Sequence, residues 1–183
     1  MSAVEIIDSS LATYSYTICN VAIAAGATDV WQLGGFAGQT KLRWIEVDGN
    51  AANERYQPVG LIRRSAVNTG GTSATRVPAR ASILDPQSGN VLTIWSANPT
   101  VLGVQVDAVV DQDTVLMGPQ AFPAQAVPGA QDRVLFDYTS ESMKSVSLDG
   151  SGDFMSINFQ VGATAVNTLV TDRFDFAIWW TER

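Results

Sequence analysis

The sequence predicts an all-β fold: an antiparallel β-sandwich, jelly-roll-like, of about nine to eleven strands with little or no helix. Three observations predict it. The segment Arg173-Phe-Asp-Phe-Ala-Ile-Trp-Trp180 places Phe174, Phe176, Ile178 and Trp180 at every second position. That period gives a strand one apolar face, whereas a helix needs apolar residues three and four apart. Short β-rich runs recur along the chain between Gly, Asn and Asp turns, and no run of useful length carries the helical period.

Each element has its own signal. Ser9 to Ala25 is rich in Thr, Tyr and Ile and reads as extended, ended by Gly26. Thr28 to Leu33 is a strand stopped by Gly34-Gly35. Lys41 to Val47 is another, closed by Asp48-Gly49, because glycine enters a turn at positive φ without steric cost. Pro58 to Ser65 follows. Arg76 to Leu84 is extended, with Pro78 marking an edge or a bulge, since proline donates no hydrogen bond to a ladder. Asn90 to Ala97 is a strand turned by Asn98-Pro99. Val101 to Val110, Thr114 to Met117, Arg133 to Tyr138, Ser145 to Leu148 and Phe154 to Val161 continue the series. Asp149-Gly-Ser-Gly-Asp153 joins the last two as a hairpin loop. Met155, Ile157 and Phe159 share a face, and Trp179 points away from Trp180.

Two loops stand apart. Val67 to Ala74 is small and polar and is expected to be mobile unless something binds it. Gly118 to Gly129 spaces three prolines among small residues, and fixed φ makes it extended and stiff. It is either a crossover between sheets or an arm lying on a neighbour. Residues 1–25 are expected as an N-terminal segment, an arm or an edge strand, and residues 26–183 as a single β-sandwich domain.

Composition narrows the function. Hydrophobic residues make up 46% and charged residues only 16%. That is either an apolar-rich sandwich or a surface partly covered by other subunits. The net charge of −7 disfavours nucleic acid as a partner, because phosphate contacts need clustered Lys and Arg. Residues 41–80 hold seven basic and three acidic residues, against four and fifteen elsewhere. The charges are either scattered over several strand faces or form a basic side able to dock on an acidic neighbour. One cysteine, Cys19, rules out an intrachain disulfide; in its apolar run it is expected to be buried and inert. The first eight residues carry acidic and no basic side chains, unlike a secretion signal, and no apolar stretch is long enough to span a bilayer. A soluble protein made in the cytoplasm is expected, without a membrane partner.

The residues offer no reaction. Histidine is absent, which removes Ser-His-Asp and Cys-His sites and His-containing zinc sites. Phosphate-binding glycine loops have no match, and Asn68-Thr-Gly-Gly-Thr72 lacks the lysine and helix they require. The acidic pairs Asp172 and Asp175, Asp149 and Asp153, and Asp111 and Asp113 are conceivable glycosidase carboxylates. Turn chemistry or a solvent-facing strand explains each. A cation near Asp149 and Asp153 would lack ligands, since a calcium loop also brings a bidentate Glu. Trp31, Trp44, Trp95, Trp179 and Trp180 fall within strands, where core or interface packing competes with sugar stacking. No catalytic, cofactor-binding or metal residues are assigned, and no enzyme is expected.

Three stretches in order carry a resemblance: Val59-Gly-Leu-Ile-Arg-Arg-Ser-Ala-Val-Asn-Thr-Gly-Gly-Thr72, Trp95-Ser-Ala-Asn-Pro-Thr-Val-Leu-Gly103, and Phe154-Met-Ser-Ile-Asn-Phe159 through Ile178-Trp-Trp-Thr-Glu182. Together, over residues 28 to 183, they resemble small all-β virion structural proteins of tailed bacteriophages, the capsid decoration or cement proteins. The resemblance implies a non-enzymatic subunit on the outer capsid surface. It also implies the major capsid protein as partner, self-association as a homotrimer, and stabilisation of the head against internal DNA pressure. The alternative is a tail- or fibre-associated adhesin that binds host surface glycans.

Overall fold

The computed structural model describes residues 11–51, 55–106, 110–117, 133–139, 146–160 and 168–183. Among them twelve strands and no helix are found. The strands are β1 (Ala12–Ala22), β2 (Asp29–Gly34), β3 (Gln39–Asn50), β4 (Arg55–Arg64), β5 (Thr72–Arg76), β6 (Ala79–Arg80), β7 (Val91–Ala97), β8 (Asp111–Met117), β9 (Arg133–Asp137), β10 (Ser147–Asp149), β11 (Phe154–Asn158) and β12 (Arg173–Glu182). They form two six-stranded antiparallel sheets. The first runs β10-β3-β12-β1-β6, with β9 also beside β3; the second runs β5-β7-β2-β11-β4-β8. This is the β-sandwich that the alternating pattern predicts. Pro78 divides the expected Arg76–Leu84 strand, so that β5 ends at Arg76 and a two-residue β6 begins at Ala79.

The core lies between the two inner faces. From the first sheet it takes Phe174, Phe176, Ile178 and Trp180 of β12, Leu42, Ile45 and Val47 of β3, and Tyr14 of β1. The second sheet supplies Trp31, Leu33, Val59, Leu61, Leu92, Ile94, Met155 and Ile157. The sheets lock where Phe159 stacks on Phe174 at 4.2 Å between ring centroids. The four β12 side chains are at most 3% exposed, and burying each contributes about 1.5–3 kcal/mol before entropy is counted.

Ala12–Ala22 is a sheet strand and not an arm. It pairs with β12 from Ala12↔Glu182 to Ala22↔Arg173, with a bulge between Ile18 and Val21. Tyr14 is buried against Trp180, ring centroids 5.9 Å apart. The outer edge of β1 is covered by β6 only at Tyr14 and Ser15. Cys19 is exposed, contrary to the buried position expected of it. It lies on the solvent side of β1, next to Asn20, whose positive φ of 58° forms part of the bulge. The prolines between residues 118 and 129 lie outside the described residues, as do residues 1–10.

Two further expectations change. Val101–Val110 was expected as a strand, but its described part makes only single bridges, Thr69↔Val101 and Arg64↔Gln105. Its backbone runs along the edge of β4, where Ser65 N–H donates to the Val104 carbonyl at 3.0 Å, Val106 N–H to the Arg63 carbonyl at 3.1 Å and Val110 N–H to the Leu61 carbonyl at 2.8 Å. The start of the loop from Val67 to Ala74, with Gly103 against Asn68, covers the outer face of the second sheet, where Gln32, Ile62, Thr93, Trp95 and Ser156 are buried, and the loop continues into β5. Thr69 exchanges backbone hydrogen bonds with Val101, and Trp95 Nε1 donates to the Gly70 carbonyl at 3.2 Å. Gly70 and Gly71 make this possible. Both have positive φ, and a Cβ at Gly71 would stand 2.2 Å from the Asn98 carbonyl oxygen.

Candidate functional site

Among the described residues a dense polar cluster surrounds Asp29, and its geometry is structural. Asp29, at the start of β2, is buried between the second sheet and its cover. Its carboxylate accepts from Arg64 Nε at 2.5 Å and Nη2 at 2.8 Å, from Asn68 Nδ2 at 2.8 Å and from Asn158 Nδ2 at 2.7 Å. Arg64 Nη1 donates to the Gly103 carbonyl, and Asn68 Oδ1 accepts from Gly103 N–H, each at 2.8 Å. Gln32 adds a bond from Asn68 N–H at 2.9 Å. Every strong acceptor position on Asp29 is occupied, so the cluster has no group left for a substrate. What it does is tie β2, β4 and β11 to the covering loops.

The acidic pairs named from the sequence hold structural positions, and within one of them Asp149 N–H donates to the Asp153 carboxylate at 3.0 Å. Asp172 is buried and accepts from the Leu169 N–H, while Asp175 stands on the outer face of β12. Asp153 is ion-paired with Arg63, whose Nε donates to it at 2.7 Å. Asp149 Oδ1 accepts from Gln39 Nε2 at 2.9 Å. Asp111 accepts from the Tyr138 hydroxyl at 2.8 Å, and Asp113 is exposed on β8. Among the described residues no group of three acidic or cysteine side chains converges in a way that could hold a metal ion.

Two perturbed groups sit near β9. Burial, followed by the hydrogen bond to Asp111, pushes the Tyr138 phenol well above its ordinary range. The hydroxyl and N–H of Thr139 hold the exposed Asp137 carboxyl below its ordinary value. Both are local hydrogen-bonding arrangements.

The outer face of the first sheet is different. Register across β1, β12 and β3 sets Ser15, Trp179 and Trp44 in one row, Thr17, Ala177 and Glu46 in the next, and then Asp175 opposite Asp48. Small residues on β1 and β12 leave a depression beside the two indoles. Its volume is about 380 Å³, with Trp44 and Trp179 at one end and Glu46, Asp48 and Asp175 at the other. Trp179 is 49% exposed. The carboxylates are not idle: Asp175 accepts from Asn20 N–H at 2.6 Å, and Asp48 accepts from Gly49 N–H at 2.7 Å. Apolar ring surface beside fixed acceptors suits a partly apolar, partly cationic or hydroxylated guest. Thr17 and the exposed Cys19 line it as well.

Of the five tryptophans, Trp31, Trp95 and Trp180 are buried, and Trp44 and Trp179 line this slot. The outward direction of Trp179 follows from the period of two. Its meeting with Trp44 depends on the register in which β12 pairs with β3, which has no local sequence signal. A second feature also escaped the sequence reading: Ile83 and Leu84, on the turn after β6, are 84% and 90% exposed.

No family model, no curated protein and no solved structure matches this chain.

Proposed function

We propose that this chain is a non-enzymatic virion structural protein of a tailed bacteriophage, a decoration or cement subunit on the outer surface of the assembled head. The observation that carries the assembly part of this reading is the exposure of large apolar side chains on ordered segments. Ile83, Leu84, Val77, Val101, Val104 and Trp179 all face solvent, on segments whose backbones are hydrogen-bonded to the sheets or the covering loops. Apolar surface rimmed by polar residues is where other proteins bind. The resemblance of the three sequence stretches supplies the virion part. The acidic balance favours an exterior position over one facing packaged DNA.

The mechanism is mass action. A subunit that binds the assembled shell and not its separate parts stabilises the shell. Contacts with the major capsid protein that are weak singly become strong when the subunits are linked, here as a homotrimer. The test is a virion lacking this protein: it assembles, then loses its DNA on heating at a lower temperature than the complete particle. Unchanged heat survival, or a low copy number per particle, refutes the reading.

A second reading, an adhesin for host surface glycans, is favoured by the Trp44–Trp179 slot, since sugar C–H faces stack on indole and hydroxyls donate to carboxylates. Saturable glycan binding that is lost in Trp179→Ala supports it. An array without hits removes it.

A further inference from the structure

Two surfaces of this molecule complement each other, and the described chain covers neither. The first is the turn following β6. Ala81 N–H donates to the Thr13 carbonyl at 2.9 Å, Asp85 N–H to the Ser82 carbonyl at 3.1 Å, and Arg80 Nη1 to the Asp85 carbonyl at 2.9 Å. Tyr14 Oη donates to the Pro86 carbonyl at 3.1 Å. The turn is therefore pinned to β1, and it holds Ile83 and Leu84 out into solvent with Val77 and Arg80 beside them, also exposed. A rigid turn presenting two aliphatic side chains loses little entropy on binding, which is the property of an interface anchor. The second surface is the slot on the outer face of the first sheet, with its indoles and carboxylates.

We propose that the Ile83–Leu84 turn of one copy of this chain seats in the Trp44–Trp179 slot of a second copy. Charge selects this occupant as well as apolarity. The turn carries the Arg80 guanidinium, which donates to the Asp85 carbonyl, and the slot is rimmed by Asp175, Glu46 and Asp48. The contact brings the Arg80 guanidinium of one copy to the acidic rim of the next, so a chain of net charge −7 associates with itself through opposite local charges. Anchor and slot are different patches, so the contact is heterologous: each copy gives its turn to one neighbour and its slot to another, and the chain of contacts closes as a ring. This deepens the assembly reading by naming the contact between copies. The experiment that tests it uses only purified full chain, so it can fail while the virion test succeeds, and the reverse.

The measurement is analytical ultracentrifugation over a concentration series of the native chain, of Ile83→Asp/Leu84→Asp, of Trp179→Ala, and of the two variants mixed. Ile83 and Leu84 are 84% and 90% exposed and Trp179 is 49% exposed, so the variants should melt as the native chain does. If Trp179→Ala melts differently, Ala177→Arg blocks the same slot from an outward position. The native chain is expected to form a closed oligomer. Each variant alone should self-associate on the order of tenfold or more weakly, the loss typical of removing a central anchor. The mixture should form a one-to-one heterodimer, because one intact turn and one intact slot remain. A native chain that stays monomeric overturns the proposal, as do variants that oligomerise normally or a mixture that stays monomeric. A monomer that binds glycan in the slot overturns it as well.

Discussion

Replacing Asp29 with alanine should nearly unfold this protein. Arg64 keeps its charge in a site where it is 5% exposed. Its Nε and Nη2 lose their acceptors, and only the Gly103 carbonyl remains to Nη1. Stranding one partner of a buried ion pair costs about 3–5 kcal/mol. The amides of Asn68 and Asn158 lose the same acceptor, and each buried donor left unmet adds about 1–3 kcal/mol. Water entering beneath the covering loops offsets part of this, so the expected loss is about 4–6 kcal/mol, set against a typical domain stability of about 5–15 kcal/mol. The assay is urea unfolding followed by tryptophan fluorescence. It should be run as a cycle with Arg64→Met and the double variant, and the two losses should fall short of additive by at least about 1 kcal/mol because the residues share one network. A loss below about 1 kcal/mol for Asp29→Ala would refute the claim that this carboxylate fastens β2, β4 and β11 to their cover.

Phe174→Ala should cost about 3–5 kcal/mol, since the side chain is fully buried and stacked on Phe159; a chain truncated before Phe174 should not give a cooperative melt. Gly71→Ala should cost about 1–3 kcal/mol through a positive φ and a backbone clash with Asn98, read as a lower urea midpoint at unchanged slope. Tyr138 has a phenol pKa raised by burial and by Asp111, so the fold favours the neutral form. Its stabilising contribution is complete below the unfolded-state pKa of about 10 and is lost as pH rises above that value. Native protein should therefore lose stability with rising pH in that range more steeply than Tyr138→Phe, measured as urea midpoints from pH 8 to 11. Glu182→Ala should lower the midpoint as well, because its carboxylate accepts from Trp180 Nε1 at 2.9 Å and from Asn90 Nδ2 at 2.7 Å.

Much of the fold was legible because it rests on local alternation. In β12 every second residue is large and apolar, and those residues are the buried ones. The same holds for Met155, Ile157 and Phe159. What was illegible depends on residues far apart in sequence. Asp29 and Arg64 are polar positions in strands, which read as solvent-facing until the covering segment encloses them. Val67–Ala74 has a mobile composition, yet it is held because Asn68 reaches Asp29, Gln32 and Gly103. Cys19 was misjudged because an apolar neighbourhood in sequence does not fix the side of a strand on which a bulge leaves a residue. The slot was half legible: the outward direction of Trp179 follows from parity, but its partnership with Trp44 needs the pairing of β3 with β12.

The two outer faces of the sandwich received opposite treatment. The second sheet is closed by a loop and a buried polar network, an arrangement that requires every donor and acceptor to be matched and contributes directly to stability. The outer face of the first sheet is different: a depression lined by indoles, small residues and hydrogen-bonded carboxylates lies across β1, β12 and β3. Ile83 and Leu84 gain little transfer free energy from folding because they stay exposed, and Trp179 leaves half of its indole in solvent, so the stability of the isolated chain does not fully account for them. Transfer energy withheld at folding is available for association, and exposed apolar groups on hydrogen-bonded segments reach a partner with most of their ordering cost already met. The outer face of the first sheet and the turn at its β6 edge are therefore where a contact has the most free energy to gain, and a substitution there should change binding while leaving the melt of the separated chain in place.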